Sequence, residues 1–124
     1  MGKTSDFKDL KVWQASMDLT IEVYKILKLF PPHEKMALQN QIQRCVVSIP
    51  SNIAEGHGRD SYKEFCRFLS IARGSLCELE TQLIISFHLK YINKYQLDTI
   101  LQRIKNIGSM IKSLSQYLNN LQNK

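Results

Sequence analysis

The side chains that could do chemistry in this 124-residue chain are few and scattered: His33, His57 and His88, and Cys45, Cys66 and Cys77. A di-metal centre in a helical bundle needs Glu-x-x-His pairs projecting inward, and the sequence contains none. No H-E-x-x-H, P-loop, G-x-S-x-G elbow or dinucleotide fingerprint occurs, and Gly56-x-Gly58 is too short a match to count. A metal-free helical ribonuclease would place an arginine and a histidine about five residues apart on one helix. No arginine here has a histidine four to six residues beyond it. Glu55, Glu64, Glu78 and Glu80 therefore read as helix caps and ion-pair acceptors. The histidines read as helix-terminal or surface residues. The cysteines, odd in number and without C-x-x-C spacing, read as reduced, packed thiols. The expectation is a protein that is not an enzyme, with no metal, no cofactor and no small-molecule substrate.

Charge is the remaining chemical signal. The formal net charge is +6, and its distribution is uneven: Met1–Glu80 carries eleven Lys and Arg against ten Asp and Glu, whereas Thr81–Lys124 carries six against Asp98 alone. A basic C-terminal third suits a polyanion, and phosphate neutralisation by Lys and Arg needs no sequence motif. The candidate nucleic-acid contacts are Arg59, Lys63, Arg67 and Arg73 near the middle of the chain, with Arg103, Lys105 and Lys112 further on. They suit RNA or DNA held by its backbone without base readout. The alternative, from a different class, is an oligomeric protein-interaction scaffold with no nucleic-acid role. Met1–Leu10 has no apolar leader, and no apolar run reaches the ~18 residues that cross a bilayer, so the expected location is the cytoplasm, away from membranes.

The elements that must position these residues are helices. Hydrophobic residues make up 44% of the chain and charged ones 23%, which suits one globular domain over 1–124 with an ordered core at about 7–121. Leu10, Trp13, Met17, Tyr24 and Leu27 mark a first helix from about Leu10 to Phe30, stopped by Pro31 and Pro32. A second begins near His33, carries Leu38, Ile42, Val46, Ile49 and Ile53 on one face, and ends in a glycine cap at Gly56-His57-Gly58. Pro50 lies inside it and predicts a kink or break near Ile49. Ser61 and Glu64 form a capping box that opens a third helix, with a seam of Phe65, Phe68 or Leu69, Ala72, Leu76, Leu79 and Leu83, running to about Lys90. Asn93 and Gln96 form a second box. Beyond it Leu97, Ile100, Ile104, Ile107, Ile111, Leu114, Leu118 and Leu121 alternate by three and four. Four amphipathic helices with short connections predict an all-α, up-down four-helix bundle.

A second line on the third helix, Lys63, Arg67, Ser70, Gly74, Cys77, Thr81 and Ile84, is small in its middle. A glycine inside a helix costs ~1 kcal/mol relative to alanine, so Gly74 predicts a close approach, in the first place by another helix of the same bundle. Ile71, Ile84, Ile85 and Phe87 lie outside the core seams, more apolar surface than one small bundle covers, and are the candidate oligomer interface.

The segments Ser48-Ile-Pro-Ser-Asn-Ile-Ala-Glu-Gly56, Gly58-Arg59, Glu64-Phe65, Arg67-Phe68-Leu69, Ile71-Ala-Arg-Gly-Ser-Leu76 and Glu78-Leu-Glu-Thr-Gln-Leu83, with the opening Asp9-Leu10-Lys11-Val12-Trp13, closely resemble the 23S rRNA intervening-sequence protein family. The resemblance spans roughly Phe7 to Leu118. It implies a four-helix bundle that assembles as a homopentamer, of a type encoded within insertions in bacterial 23S rRNA genes. A similar protein type, the accessory protein of diversity-generating retroelements, forms a pentameric barrel whose basic surface binds nucleic acid. The chain departs from the family pattern at Cys77, where a small residue such as alanine is usual. It departs again over Ile85–Lys90, where a more polar helix end with a glycine is expected.

Overall fold

The periodic segments fold as helices, and the positions where they start and stop follow from local hydrogen bonding. A computed structural model describes residues 6–123, which contain no strand. Four helices carry the fold: α1 Lys11–Leu27, α2 Leu38–His57, α3 Tyr62–His88 and α4 Lys94–Gln122, with short 3-10 turns at Phe7–Asp9 and Pro32–Glu34. They pack in ring order, α1 on α2, α2 on α3, α3 on α4 and α4 back on α1, the arrangement that short connections impose on antiparallel helices. The expectation of fraying at the chain ends falls partly on residues 1–5 and 124, which lie outside the described residues. Within them, α4 continues past Leu121 to Gln122.

The core sits on the predicted stripes of α2, α3 and α4. Leu97, Ile100, Ile104, Ile107, Ile111 and Leu118 of α4 are buried, while Leu114 and Leu121 pack against the core from its edge. On α3 both Phe68 and Leu69 are buried. The α1 stripe is rotated from the expected one: Val12, Leu19, Val23 and Leu27 fill the core, Trp13 is half-buried beside Phe7, and Tyr24 is exposed. Aromatic residues had outweighed the smaller aliphatic side chains in the periodicity.

Several boundaries move. α1 ends at Leu27, because the Leu29 and Phe30 amides tighten onto the Ile26 and Leu27 carbonyls at 3.0 and 3.1 Å before Pro31 forces extended backbone. α2 begins at Leu38, not near His33. Pro32 opens only a 3-10 turn, and the Glu34 carboxylate then accepts the Leu38 N–H at 3.2 Å. α2 runs through Pro50 without a break. The Val46 carbonyl, whose helical partner amide Pro50 lacks, has the Thr20 hydroxyl of α1 at 3.5 Å. The glycine cap at the end of α2 uses no left-handed residue, since Gly58 has φ −79°. Gly56 serves a different need: a Cβ there would lie 2.7 Å from Phe68 Cβ, so α2 and α3 meet backbone to side chain at this point.

The two capping boxes differ. Asn93 and Gln96 exchange both bonds, at 2.8 Å each. Ser61 Oγ accepts the Glu64 N–H at 3.1 Å, but the Glu64 carboxylate turns to Arg67 and not back to Ser61. α3 closes in a Schellman motif, with the Tyr91 N–H on the Ser86 carbonyl and the Lys90 N–H on the Phe87 carbonyl, both at 2.9 Å. Its left-handed position, φ 67°, is occupied by Lys90, where glycine is the unstrained residue.

Candidate nucleic-acid interface

The seven predicted basic residues fall into separate groups. Arg59 follows α2, and Arg67 lies in the second turn of α3. Their guanidinium carbons stand 4.8 and 4.6 Å from the ring centroid of Phe68, which is itself buried. Each is also paired with a carboxylate, Arg59 with Glu55 at 2.8 Å and Arg67 with Glu64 at 3.1 Å. The hydrogen bond from Arg67 holds the Glu64 carboxyl below its ordinary range. These two arginines close the joint between α2 and α3, and their charge is largely answered within the chain. Lys63 lies beside Arg59 in an open depression at the start of α3 and forms no ion pair among the described residues.

Arg73 and Lys105 come together across the α3–α4 groove, a space of about 540 Å³. Glu80 and Asp98 line the same groove, so its formal charge is balanced and it is not a cationic track. Lys112 is exposed further along α4. Arg103 is half-buried, with its Nε enclosed and unpartnered, a poor position from which to reach a phosphate.

Gly74 faces open space, with nothing within 4 Å of a Cβ built on it. The close approach by a neighbouring helix of the bundle, expected from the sequence, is therefore absent; the close approach occurs at Gly56. Of the candidate interface residues, Ile71 and Ile85 are 42% and 44% exposed, whereas Ile84 and Phe87 pack against the chain's own core. Their half-buried placement follows from helix phase, since positions 84 and 87 adjoin the buried Leu83 and Ser86 on the inward side of α3. Val47 on α2 and Ile21 on α1 are further exposed apolar residues.

The cysteines are all free but only Cys45 is buried. Cys66 is half-buried and Cys77 is exposed, so packing accounts for one thiol fully and not for Cys77. Burial pushes the Cys45 thiol up to about 12, and its Sγ–H donates to the Ser75 carbonyl at 3.1 Å, which leaves it an inert core group. His57 is buried at the end of α2, edge-on to Phe65. Among the described residues no group of three or more His, Cys, Asp or Glu is placed to hold a metal, and no helix is long and apolar enough to cross a membrane.

Sequence reasoning missed the end of the bundle formed by the α1–α2 and α3–α4 connections. There Tyr91 packs at a tilt against Phe30, with ring centroids 5.1 Å apart, and donates its hydroxyl to Glu34 at 2.6 Å. The Tyr91 hydrogen bond, with that from the Leu38 amide, holds the Glu34 carboxyl below its usual range, and the same bond raises the Tyr91 phenol. Glu34 is thereby occupied, and Lys28, Lys35 and Lys90 of the two connections have no carboxylate partner among the described residues. Each lies in or beside a connection, outside the helical periodicity that guided the choice of candidates.

The chain's residues 8–113 match the family model of the 23S rRNA-intervening sequence protein. In fold the chain is similar to a crystal structure of a protein of unknown function from the S23 ribosomal protein family of Bacteroides thetaiotaomicron. The two are 24% identical with a TM-score of 0.78, over 85% of this chain and 95% of that one, which establishes the bundle architecture. No curated protein matches.

Proposed function

This chain belongs to the 23S rRNA-intervening sequence protein family, and from that premise we propose that it is a non-enzymatic, oligomeric nucleic-acid-binding protein that holds RNA or DNA by its phosphates. The observation that carries the reading is that seven of the ten Lys and Arg left over once the ion pairs among the described residues are drawn are exposed on α3, α4 or the connections, the other three being Lys11, Arg44 and the half-buried Arg103. Lys63, Arg73, Lys105 and Lys112 on α3 and α4, and Lys28, Lys35 and Lys90 at the connections, have no carboxylate within 4.0 Å among the described residues. Unpaired surface cations release counterions from a polyanion, and each neutralised phosphate contributes about 0.7–0.9 to the slope of log affinity against log salt. Exposed Ile21, Val47, Ile71 and Ile85 supply apolar surface for self-association, with a homopentamer as the specific assembly. An assembly multiplies the modest charge of one subunit along a single strand.

The test is a fluorescence-anisotropy titration of labelled RNA and DNA at two salt concentrations, on protein whose mass is measured by light scattering. Binding that weakens steeply with salt and a multimeric mass support the reading. A folded multimer that binds neither RNA nor DNA at low salt removes it and leaves the protein-interaction scaffold, which the same apolar surface favours. A monomer at micromolar concentration removes the oligomeric part.

A further inference from the structure

Four lysines at the connection end each stand next to an exposed apolar or aromatic residue in the chain: Lys28-Leu29, Lys35-Met36, Leu89-Lys90 and Lys94-Tyr95. Met36 is 85% and Tyr95 79% exposed, the two most open large hydrophobic side chains described. Three carboxylates near this end are engaged, Glu22 with Lys25, Glu34 with Tyr91 and the Leu38 amide, and Asp98 with Lys94. Between the connections lies an open depression of about 800 Å³, with Leu29, Phe87, Tyr91 and Ile92 among the residues that line it and Lys90 and Lys94 as its cations. Lys94 Nζ stands 6.0 Å from the Phe87 ring centroid.

A duplex shows a protein mainly its phosphates, and lysines alone would serve it. Exposed Leu29, Met36, Leu89 and Tyr95 gain nothing against a charged ridge. An unpaired strand presents both phosphates and base faces, and it is bound by cations interleaved with aromatic and apolar platforms. Resting on the nucleic-acid reading above, we infer that the connection end is a single-strand site, with the bases on Tyr95, Met36 and the apolar depression and the phosphates on Lys28, Lys35 and Lys90. At the opposite end of the bundle two of the three cations at the α2–α3 joint, Arg59 and Arg67, are tied to Glu55 and Glu64, which leaves Lys63 alone beside Asp60.

The experiment compares labelled oligouridylate with an RNA duplex of equal length by anisotropy, for wild type, Tyr95→Ala, the double variant Lys28→Glu with Lys90→Glu, and Arg73→Glu on the α3–α4 groove. Circular dichroism verifies the fold of each. Wild type is expected to favour the single strand by about tenfold, the order of one base-stacking contact. Tyr95→Ala should lose most of that preference with the salt slope unchanged, and the lysine double variant should lower the slope by about 1.4. Arg73→Glu should change single-strand and duplex affinity in equal proportion. Equal affinity of wild type for both forms overturns the inference, as does wild-type behaviour of Tyr95→Ala together with the lysine variant, while the nucleic-acid reading stands in either case. Absence of binding to both forms removes both. If wild type instead binds phosphatidylglycerol vesicles in a manner abolished by Met36→Ser, and binds no RNA, the end is a lipid-docking surface and the inference fails.

Discussion

Alanine at two helical glycines should change stability in opposite directions. At Gly56 an added Cβ would lie 2.7 Å from Phe68 Cβ, 3.0 Å from Phe65 Cδ1 and 3.3 Å from the Phe65 carbonyl oxygen. Phe68 Cβ is fixed to the α3 backbone, so no side-chain rotation relieves that contact, and α2 must move away from α3. Overpacking of this kind costs about 1–3 kcal/mol. The helix-propensity gain of alanine over glycine, at most ~1 kcal/mol, is reduced so near the end of α2. The crowding wins, with a net loss of about 1–2 kcal/mol and a fall in Tm of about 4–8 °C for a chain of this size. At Gly74, mid-α3, nothing lies within 4 Å, so alanine keeps its propensity gain of about 0.5–1 kcal/mol. Urea denaturation followed by far-ultraviolet circular dichroism, with thermal melts alongside, measures both. A Gly56→Ala protein as stable as wild type would refute the tight α2–α3 crossing. A Gly74→Ala protein that loses stability would show that the open face of α3 is covered in solution, by a second subunit.

Three further predictions rest on separate parts of the fold. Lys90→Gly should stabilise by about 1 kcal/mol, because glycine adopts the left-handed Schellman position without strain; an unchanged or lowered denaturation midpoint would count against that cap. Ile104→Asp, which places a carboxylate in the core, should cost roughly 4 kcal/mol or more and unfold the domain, and Ile111→Asp should do the same; unaltered melting of both would mean the α4 stripe is misplaced. Glu34 has a folded-state pKa below its unfolded value, so its contribution is present above the ordinary carboxylate range and is lost as pH falls through the depressed value. Glu34→Gln should therefore flatten the acid limb of stability, and identical limbs in variant and wild type, from urea titrations at neutral and acid pH, would exclude the carboxylate's role.

How much was legible in the sequence depended on whether one helix decided the matter alone. The α4 stripe and the Asn93-Gln96 box are local patterns, and both stand as read. The seam of α3 was equally plain. The α1 face differs from the periodicity because Trp13 and Met17 sit at the core's margin and Tyr24 is exposed, while the smaller Val12, Leu19 and Val23 fill the core. Gly74 and Gly56 look alike in sequence, and only the crossing of α2 and α3 distinguishes them. Charge was legible only in part. Arg67 has Glu64 three residues before it on its own helix, a pair legible in the sequence, whereas only the structure shows that Lys105 shares its groove with Glu80 and Asp98 yet pairs with no carboxylate among the described residues. The basic connection end was invisible because its members come from segments more than fifty residues apart, brought together by Tyr91 against Phe30 and Glu34.

Much of the central signature that carries the family resemblance, over Ser48–Gly56 and Gly58–Leu69, meets at one structural feature, the α2–α3 joint. Ser48 and Ser75 hydrogen-bond across it at 2.8 Å, and Cys45 reaches the Ser75 carbonyl. Gly56 lets Phe68 approach the α2 backbone, Phe65 packs against His57, and Arg59 and Arg67 cover Phe68 while Glu55 and Glu64 answer their charge. These residues hold two helices together and leave little chemistry for a ligand, so this part of the family signature is a signature of its fold, whereas Arg73 of the Ile71–Leu76 segment stays outside the joint, in the α3–α4 groove. A partner surface must then draw on residues that the joint leaves unoccupied. The cations with no carboxylate partner among the described residues meet that condition, on α3 and α4 and, with open apolar side chains beside them, at the connections, which directs the search for function away from the α2–α3 joint.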